Sequence, residues 1–71
     1  MNAPIRQPDP LFQPTDFAIK FHRHLARRFR HYAIGEPAGS DNWCVAKDEL
    51  ATAHRLIRRK RNLEAEEKEA A

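Results

Sequence analysis

Apolar residues recur every three or four positions between residues 16 and 34, which is the spacing of an amphipathic α-helix. At about 100° per residue, these side chains fall within one arc of about 120°, and basic side chains occupy the opposite arc. Thr15 can accept a hydrogen bond at the start of this helix, and Gly35 can end it. The pattern predicts a helix over residues 16–34 whose apolar arc is buried. That arc holds Phe17, Ala18, Phe21, Leu25, Phe29 and Tyr32, with Arg28 alone among them.

A second stretch, over residues 42–63, carries two neighbouring apolar stripes and contains no Gly or Pro. Residues 35–39, GEPAG, have no periodicity and predict the connecting turn, after which Ser40 or Asp41 can cap the second helix. Because two stripes need two neighbours, we expect the first helix to cover one and the proline-rich N terminus to cover the other. The stripes consist of Trp43, Ala46, Leu50, Ala53 and Ile57, and of Val45, Leu56 and Leu63.

The two ends of the chain do not continue this pattern. Residues 1–14 hold four of the five prolines, which remove backbone donors and favour extended geometry, so they predict an extended or disordered arm. Residues 64–71 are acidic and rich in alanine, and they predict a frayed helical tail. The sequence therefore predicts an all-α fold, a small antiparallel two-helix hairpin over residues 15–63 with an extended Pro-rich N-terminal arm.

The charge of the chain points to an acidic partner. The 71 residues include 13 Lys and Arg against 10 Asp and Glu, and the basic residues form one run on the solvent side of each predicted helix. Such a surface favours nucleic acid, an acidic protein surface or an anionic membrane. Ile19 lies on the basic side of the first helix and is expected to be exposed. The predicted partner-binding residues are Ile19, Lys20, Arg23, Arg27, Arg30, Arg55, Arg58, Arg59 and Arg61.

Catalytic and metal chemistry find little support in the sequence. Cys44 is the only cysteine, and a thiol enzyme needs an oriented base and a substrate cleft, which two helices of this size do not provide. The four histidines lack the spacing of zinc ligands and are expected at the surface. We therefore expect no enzyme activity, no metal, no cofactor and no small-molecule substrate.

The lengths of the apolar segments also indicate where in the cell the protein is located. No apolar run has the length of a signal peptide or of a membrane span, which indicates a cytoplasmic protein. The first helix has the composition of a helix that lies on a membrane surface. Because a second helix is available to cover its apolar arc, we expect that arc to be buried within the fold and membrane binding to be disfavoured.

Two segments carry a resemblance to a known family: Arg28 to Gly35, RFRHYAIG, and His54 to Arg61, HRLIRRKR. With the small size and basic helices of the chain, across residues 15–62, they resemble the small RNA-polymerase-binding regulators of Xanthomonas phages. The resemblance implies a protein that displaces sigma factor, blocks initiation by host polymerase and lets polymerase read through terminators. It also implies docking on the N-terminal region of the beta-prime subunit near the RNA exit channel, where a basic face would meet acidic protein and nascent RNA.

Three functional hypotheses follow from these observations. The first is a non-enzymatic regulator that binds bacterial RNA polymerase in the host cell cytoplasm and blocks a competitor by occlusion. The second is an RNA-binding or non-specific DNA-binding module, whose affinity would fall steeply with salt. The third is a phage counter-defence inhibitor of a nucleic-acid-handling complex, which would present the same basic helices.

Overall fold

The fold is a hairpin of two helices preceded by a short turn. The computed structural model describes residues 9–70, which form a 3-10 helix at Pro10–Phe12, helix α1 at Asp16–Tyr32 and helix α2 at Asp41–Ala70, with no strand in that range. The start of α1 lies beside the second half of α2, where Lys60 Nζ is 2.5 Å from Asp16 Oδ1, so the two helices run antiparallel. The predicted all-α, two-helix architecture is confirmed.

The helix boundaries follow from local capping. The Thr15 hydroxyl accepts a hydrogen bond from the backbone N–H of Ala18 at 3.2 Å, as predicted for the start of α1. After α1 ends at Tyr32, Gly35 adopts a φ of 86°, a left-handed conformation that turns the chain and that glycine adopts at little cost. The Ser40 hydroxyl then accepts from the backbone N–H of Trp43 at 3.4 Å and caps α2.

The C-terminal segment, predicted as a frayed helical tail from residue 64, is helical. Helix α2 continues without a break to Ala70. No Gly or Pro interrupts this segment, and Glu64 lies 3.8 Å from Lys60 one helical turn earlier, which favours the helical state. All residues from 61 to 70 are exposed, so this part of α2 extends beyond its contact with α1.

Small side chains form the contact between α1 and α2. Ala18 and Ala26 of α1 are buried, as are Ala53 and Leu56 of α2, and we call this set the helix–helix interface. Alanine at these positions lets two helices approach closely. Ile19 is only 8 % exposed and packs here with Ala18 and Leu56, so the prediction that Ile19 is exposed was wrong.

The aromatic arc of α1 is not buried as predicted. Phe17 is 66 % exposed and Tyr32 is 50 % exposed, while Phe21 is half-buried. At about 100° per residue, the buried side of α1 is rotated by about 90° from the centre of the predicted apolar arc. The buried side of α1 combines Ala18 and Ala26, which allow close approach, with Ile19 and His22, which supply contacts to α2 and to the N-terminal turn.

The apolar stripes of α2 are also only partly covered. Ala46, Ala53 and Leu56 are buried, but Leu50 and Leu63 are 44 % and 41 % exposed. The proline-rich arm was expected to be the second neighbour of α2. Its described part, the 3-10 helix, packs mainly on α1 instead, and residues 1–8 lie outside the described range.

Within residues 9–70, neither helix combines the length and the apolar character needed to cross a bilayer.

Candidate binding face

Four of the five Lys and Arg residues of α1 lie on one side of the helix, and Arg28 lies apart from them. Lys20, Arg23, Arg27 and Arg30 are all exposed. Three of them, Lys20, Arg23 and Arg27, line a shallow depression together with His24. Residues three or four apart on a helix have Cβ atoms about 5–6 Å apart, so these side chains form a row of closely spaced cations.

This row borders α2 at an exposed leucine. Arg23, Arg27 and Arg30 line a second depression that also contains Ala26 and Leu50. Ala26 is buried at the helix–helix interface, and Leu50 is the α2 side chain across from it with 44 % of its surface exposed. An apolar side chain therefore sits among three guanidinium groups at the junction of the two helices.

Part of the basic run of α2 continues the same surface. At about 100° per residue, His54, Arg58 and Arg61 lie within about 80° of Leu50 around α2, and the same three residues line one depression. We use the name basic face for the exposed surface formed by both helices here. It consists of Lys20, Arg23, Arg27, Arg30, Leu50, His54, Arg58 and Arg61.

The structure does not bring all predicted residues together. At about 100° per residue, Arg55 and Arg59 lie about 140° and 180° around α2 from Leu50. They line another depression with Leu63 and Glu66, which Arg58 also borders. Ile19 is buried and cannot contact a partner. Six of the nine predicted residues thus share the basic face. Leu50 and His54 also belong to it and were not predicted, because their exposure depends on where α1 crosses α2.

Arginine side chains on this surface have no acidic partner among residues 9–70. Three ion pairs occur between residues 9 and 70, and they join His22 to Glu49, Lys60 to Asp16 and Lys60 to Glu64. None involves an arginine. The guanidinium donors of both helices therefore remain available for carboxylates or phosphates, which they can bind in a bidentate manner.

Lys60, in contrast to these arginines, is a cation with an acidic partner, Asp16. Its hydrogen bond to Asp16, assisted by its positive charge, lowers the pKa of the Asp16 carboxyl below its usual range. In return, the hydrogen bond to Asp16 raises the pKa of Lys60. Lys60 is thus committed to an internal contact, unlike the cations of the basic face.

His22 has a structural role that the sequence did not reveal. We expected all four histidines at the surface, but His22 is only 3 % exposed. Its Nδ1 contacts the Glu49 carboxylate of α2, and its Nε2 lies 2.6 Å from the Leu11 carbonyl oxygen in the 3-10 helix. The Leu11 carbonyl oxygen accepts the hydrogen bond, so Nε2–H is the donor. His22 therefore joins the N-terminal turn to both helices.

The described residues contain few candidates for other chemistry. Within residues 9–70, no group of three or more His, Cys, Asp or Glu side chains is close enough to hold a metal ion. The exposed Cys44 thiol lies 3.9 Å from the Gly39 carbonyl oxygen, which is its hydrogen-bond partner in this range. The best candidate for a functional site among the described residues is thus the basic face, which can bind anionic groups.

Comparison with known proteins found no matching family model, no matching curated protein and no matching solved structure. The function is therefore argued from the geometry and charge of the basic face.

Proposed function

We propose that the protein is a non-enzymatic regulator that binds bacterial RNA polymerase through its basic face in the host cell cytoplasm and thereby alters transcription. The observation that supports this proposal is the set of arginines grouped around the exposed Leu50, which have no acidic partner in the described part of the chain. Such a surface is complementary to an acidic, partly apolar surface on a large protein.

Leu50 favours a protein partner over a polynucleotide. A nucleic-acid backbone presents phosphates and sugars to the protein, and it would leave the leucine side chain without an apolar contact. Protein interfaces, in contrast, commonly place a few buried anchors at the centre, with arginine among the most frequent contributors of binding energy. Arg23, Arg27 and Arg30 around Leu50 have this composition.

The mechanism follows from the size of the surface. A standard protein interface buries roughly 800 Å² on each partner, which a face formed by two short helices can supply. A non-catalytic protein bound in this way acts by occupying a surface that a competitor such as sigma factor needs. The resemblance described above is the reason for choosing RNA polymerase among large acidic complexes.

Two variants with the same change in net charge test the proposal. In Arg23→Gln/Arg27→Gln, both substitutions lie on the basic face, and in Arg55→Gln/Arg59→Gln both lie outside it. Binding to purified, nucleic-acid-free bacterial RNA polymerase is measured by biolayer interferometry. We expect the first variant to bind at least about tenfold more weakly than the wild type and the second to bind within about twofold, because only the first removes interface contacts.

Three results would overturn the proposal. One is the absence of wild-type binding to polymerase. Another is an equal loss for both variants, which would mean that net charge rather than the basic face determines affinity. The third is binding to a single-stranded RNA, with an affinity that falls steeply as salt rises, and no binding to polymerase. That result would favour a nucleic-acid-binding module.

A further inference from the structure

The outer side of α1 exposes aromatic side chains that the described part of the chain leaves uncovered. Phe17 is 66 % exposed, Tyr32 is 50 % exposed and Phe21 is half-buried. At about 100° per residue these three side chains lie within an arc of about 60°, so they share one side of the helix, with Phe17 and Tyr32 about 22 Å apart along its axis. We use the name aromatic face for Phe17, Phe21 and Tyr32. Large apolar side chains exposed along one side of a helix are typical of an interaction site.

The charge within the aromatic face is positive. In the helical projection, Arg28 lies within the strip, and the polar rings of His24 and His31 border it on one side. Asp16 is the only acidic residue of α1, and its carboxylate is engaged by Lys60. The outer surface of α1 thus combines rings with cations and offers no free carboxylate. This combination is complementary to a partner that is both anionic and apolar.

The shape of this surface narrows the choice of partner. The rings project from a single helix, so the face is convex, and none of the depressions described above is lined by Phe17, Phe21 or Tyr32. An amphipathic helix with aromatic residues on one side and Lys or Arg on the other is typical of helices that lie in the plane of a membrane surface. There, aromatic rings settle at the level of the lipid headgroups.

Charge argues against a second copy of this chain as the partner. Two aromatic faces brought together would place Arg28 of one copy near Arg28 of the other, with no carboxylate of α1 free to neutralise them. Like charges in a desolvated contact are destabilising. An anionic bilayer, in contrast, supplies a phosphate for each cation along the helix.

We propose that the aromatic face of α1 binds the surface of an anionic lipid bilayer, with Phe17, Phe21 and Tyr32 at the headgroup–acyl boundary and Arg28 contacting lipid phosphates. We expected the apolar arc to be covered by α2, and its exposure removes the reason for disfavouring a membrane. The proposal goes beyond the proposed function. At about 100° per residue, the centre of the basic row lies about 130° around α1 from the aromatic face, so bilayer contact leaves Arg23 and Arg30 free.

Vesicle binding tests this inference. The full chain is mixed with vesicles of phosphatidylcholine alone, or of phosphatidylcholine with about 30 % phosphatidylglycerol, at about 0.1 M salt, and bound protein is separated by flotation. We expect binding to the anionic vesicles only. We expect Phe17→Ser/Tyr32→Ser to lower the partition coefficient by at least about tenfold, because two rings no longer enter the interface.

The matched control removes two apolar side chains elsewhere. Ile34 and Leu63 are 70 % and 41 % exposed but lie outside the aromatic face, so Ile34→Ser/Leu63→Ser should bind anionic vesicles as the wild type does. Far-UV circular dichroism verifies that both variants stay helical. The polymerase assay on Phe17→Ser/Tyr32→Ser separates the two proposals, since the basic face is intact in that variant.

Several results would overturn the inference. They are no binding to anionic vesicles, equal binding to neutral vesicles, or unchanged binding of Phe17→Ser/Tyr32→Ser, which would assign the attraction to the basic face alone. A dimer in sedimentation equilibrium that the same double substitution abolishes would assign the aromatic face to a second copy.

Discussion

Helix α1 has two apolar sides that differ in size and in burial. The side at the helix–helix interface carries alanines, and Ala18 is fully buried there, whereas the aromatic face carries Phe17 at 66 % exposure. A phenylalanine ring would contribute more buried area than a methyl group, but it would also hold the two helix axes apart. The comparison teaches that hydrophobicity alone does not decide which side of a helix faces its neighbour, because the polar His22 is buried beside the alanines while Phe17 is exposed.

The largest effect we expect is the loss of stability when a buried side chain of the helix–helix interface is truncated. The matched control truncates an exposed side chain of the aromatic face. Leu56 is 5 % exposed and packs on Ala18 and Ile19, so Leu56→Ala should destabilise the fold by ~2–5 kcal/mol. Phe17→Ala removes a larger side chain, but it should cost less than about 1 kcal/mol because the ring is mostly exposed. The measurement is urea unfolding followed by far-UV circular dichroism. A cost for Phe17→Ala that equals or exceeds that of Leu56→Ala would contradict the comparison.

The fold could be predicted largely from the periodicity of the sequence, but the orientation of α1 could not. The helix starts and the turn between the helices could be predicted because they depend on neighbouring residues only. Thr15 and Ser40 cap the two helices, and Gly35 forms the turn. The orientation depends on how closely two helix surfaces approach, which is a property of both helices together. A helical projection of α1 alone identifies the arc with the largest apolar side chains. Tyr32 belongs to that arc, and half of its surface is exposed.

At about 100° per residue, His22 lies between Ala18 and Ala26 on the buried side of α1, and it provides the next prediction. Phe12 and Phe21 both contact its ring, with centroid distances of 5.4 and 5.3 Å. His22→Ala leaves the Leu11 carbonyl and the Glu49 carboxylate without their donor, which should cost ~1–3 kcal/mol.

The matched control for His22 is the same substitution two positions later. His24 is exposed, so His24→Ala should change the free energy of unfolding by less than about 0.5 kcal/mol. Amide hydrogen exchange offers a second measurement, because loss of the His22 contact should speed exchange at Phe12, whose N–H donates to the Asp9 carbonyl. Equal stability of the two variants would show that the buried His22 ring does not hold the N-terminal turn.

The candidate site was predictable to the extent that it depends on one helix. Lys20, Arg23, Arg27 and Arg30 share a side of α1 by spacing alone, and the structure keeps them together. Arg55 and Arg59 were grouped with them because the sequence shows a basic run without showing which of its members face α1. His22 has no distinctive neighbour in sequence, and its partners Leu11 and Glu49 are 11 and 27 positions away.

The smallest effect we expect concerns Asp16 and Lys60, which join the start of α1 to α2 at the edge of the helix–helix interface. The hydrogen bond from Lys60 holds the pKa of the Asp16 carboxyl below its ordinary value of 3.8. Because the folded-state pKa is the lower one, the pair stabilises the fold above about pH 4, and this contribution is lost as the pH falls through the folded-state pKa. Both side chains are exposed to solvent, so the contribution is small and weakens with salt.

Carboxyl ¹³C NMR titration of Asp16 measures this pKa directly. In the wild type the midpoint should lie below 3.8, and in Lys60→Met it should move up toward 3.8, since the hydrogen bond and the nearby positive charge are both removed. Lys20 also lowers the pKa of Asp16, but by charge alone, so Lys20→Met should move the midpoint less. An unchanged midpoint in Lys60→Met would mean that α1 and α2 are not held together at this edge. The contact between the helices would then depend on the apolar interface and on His22.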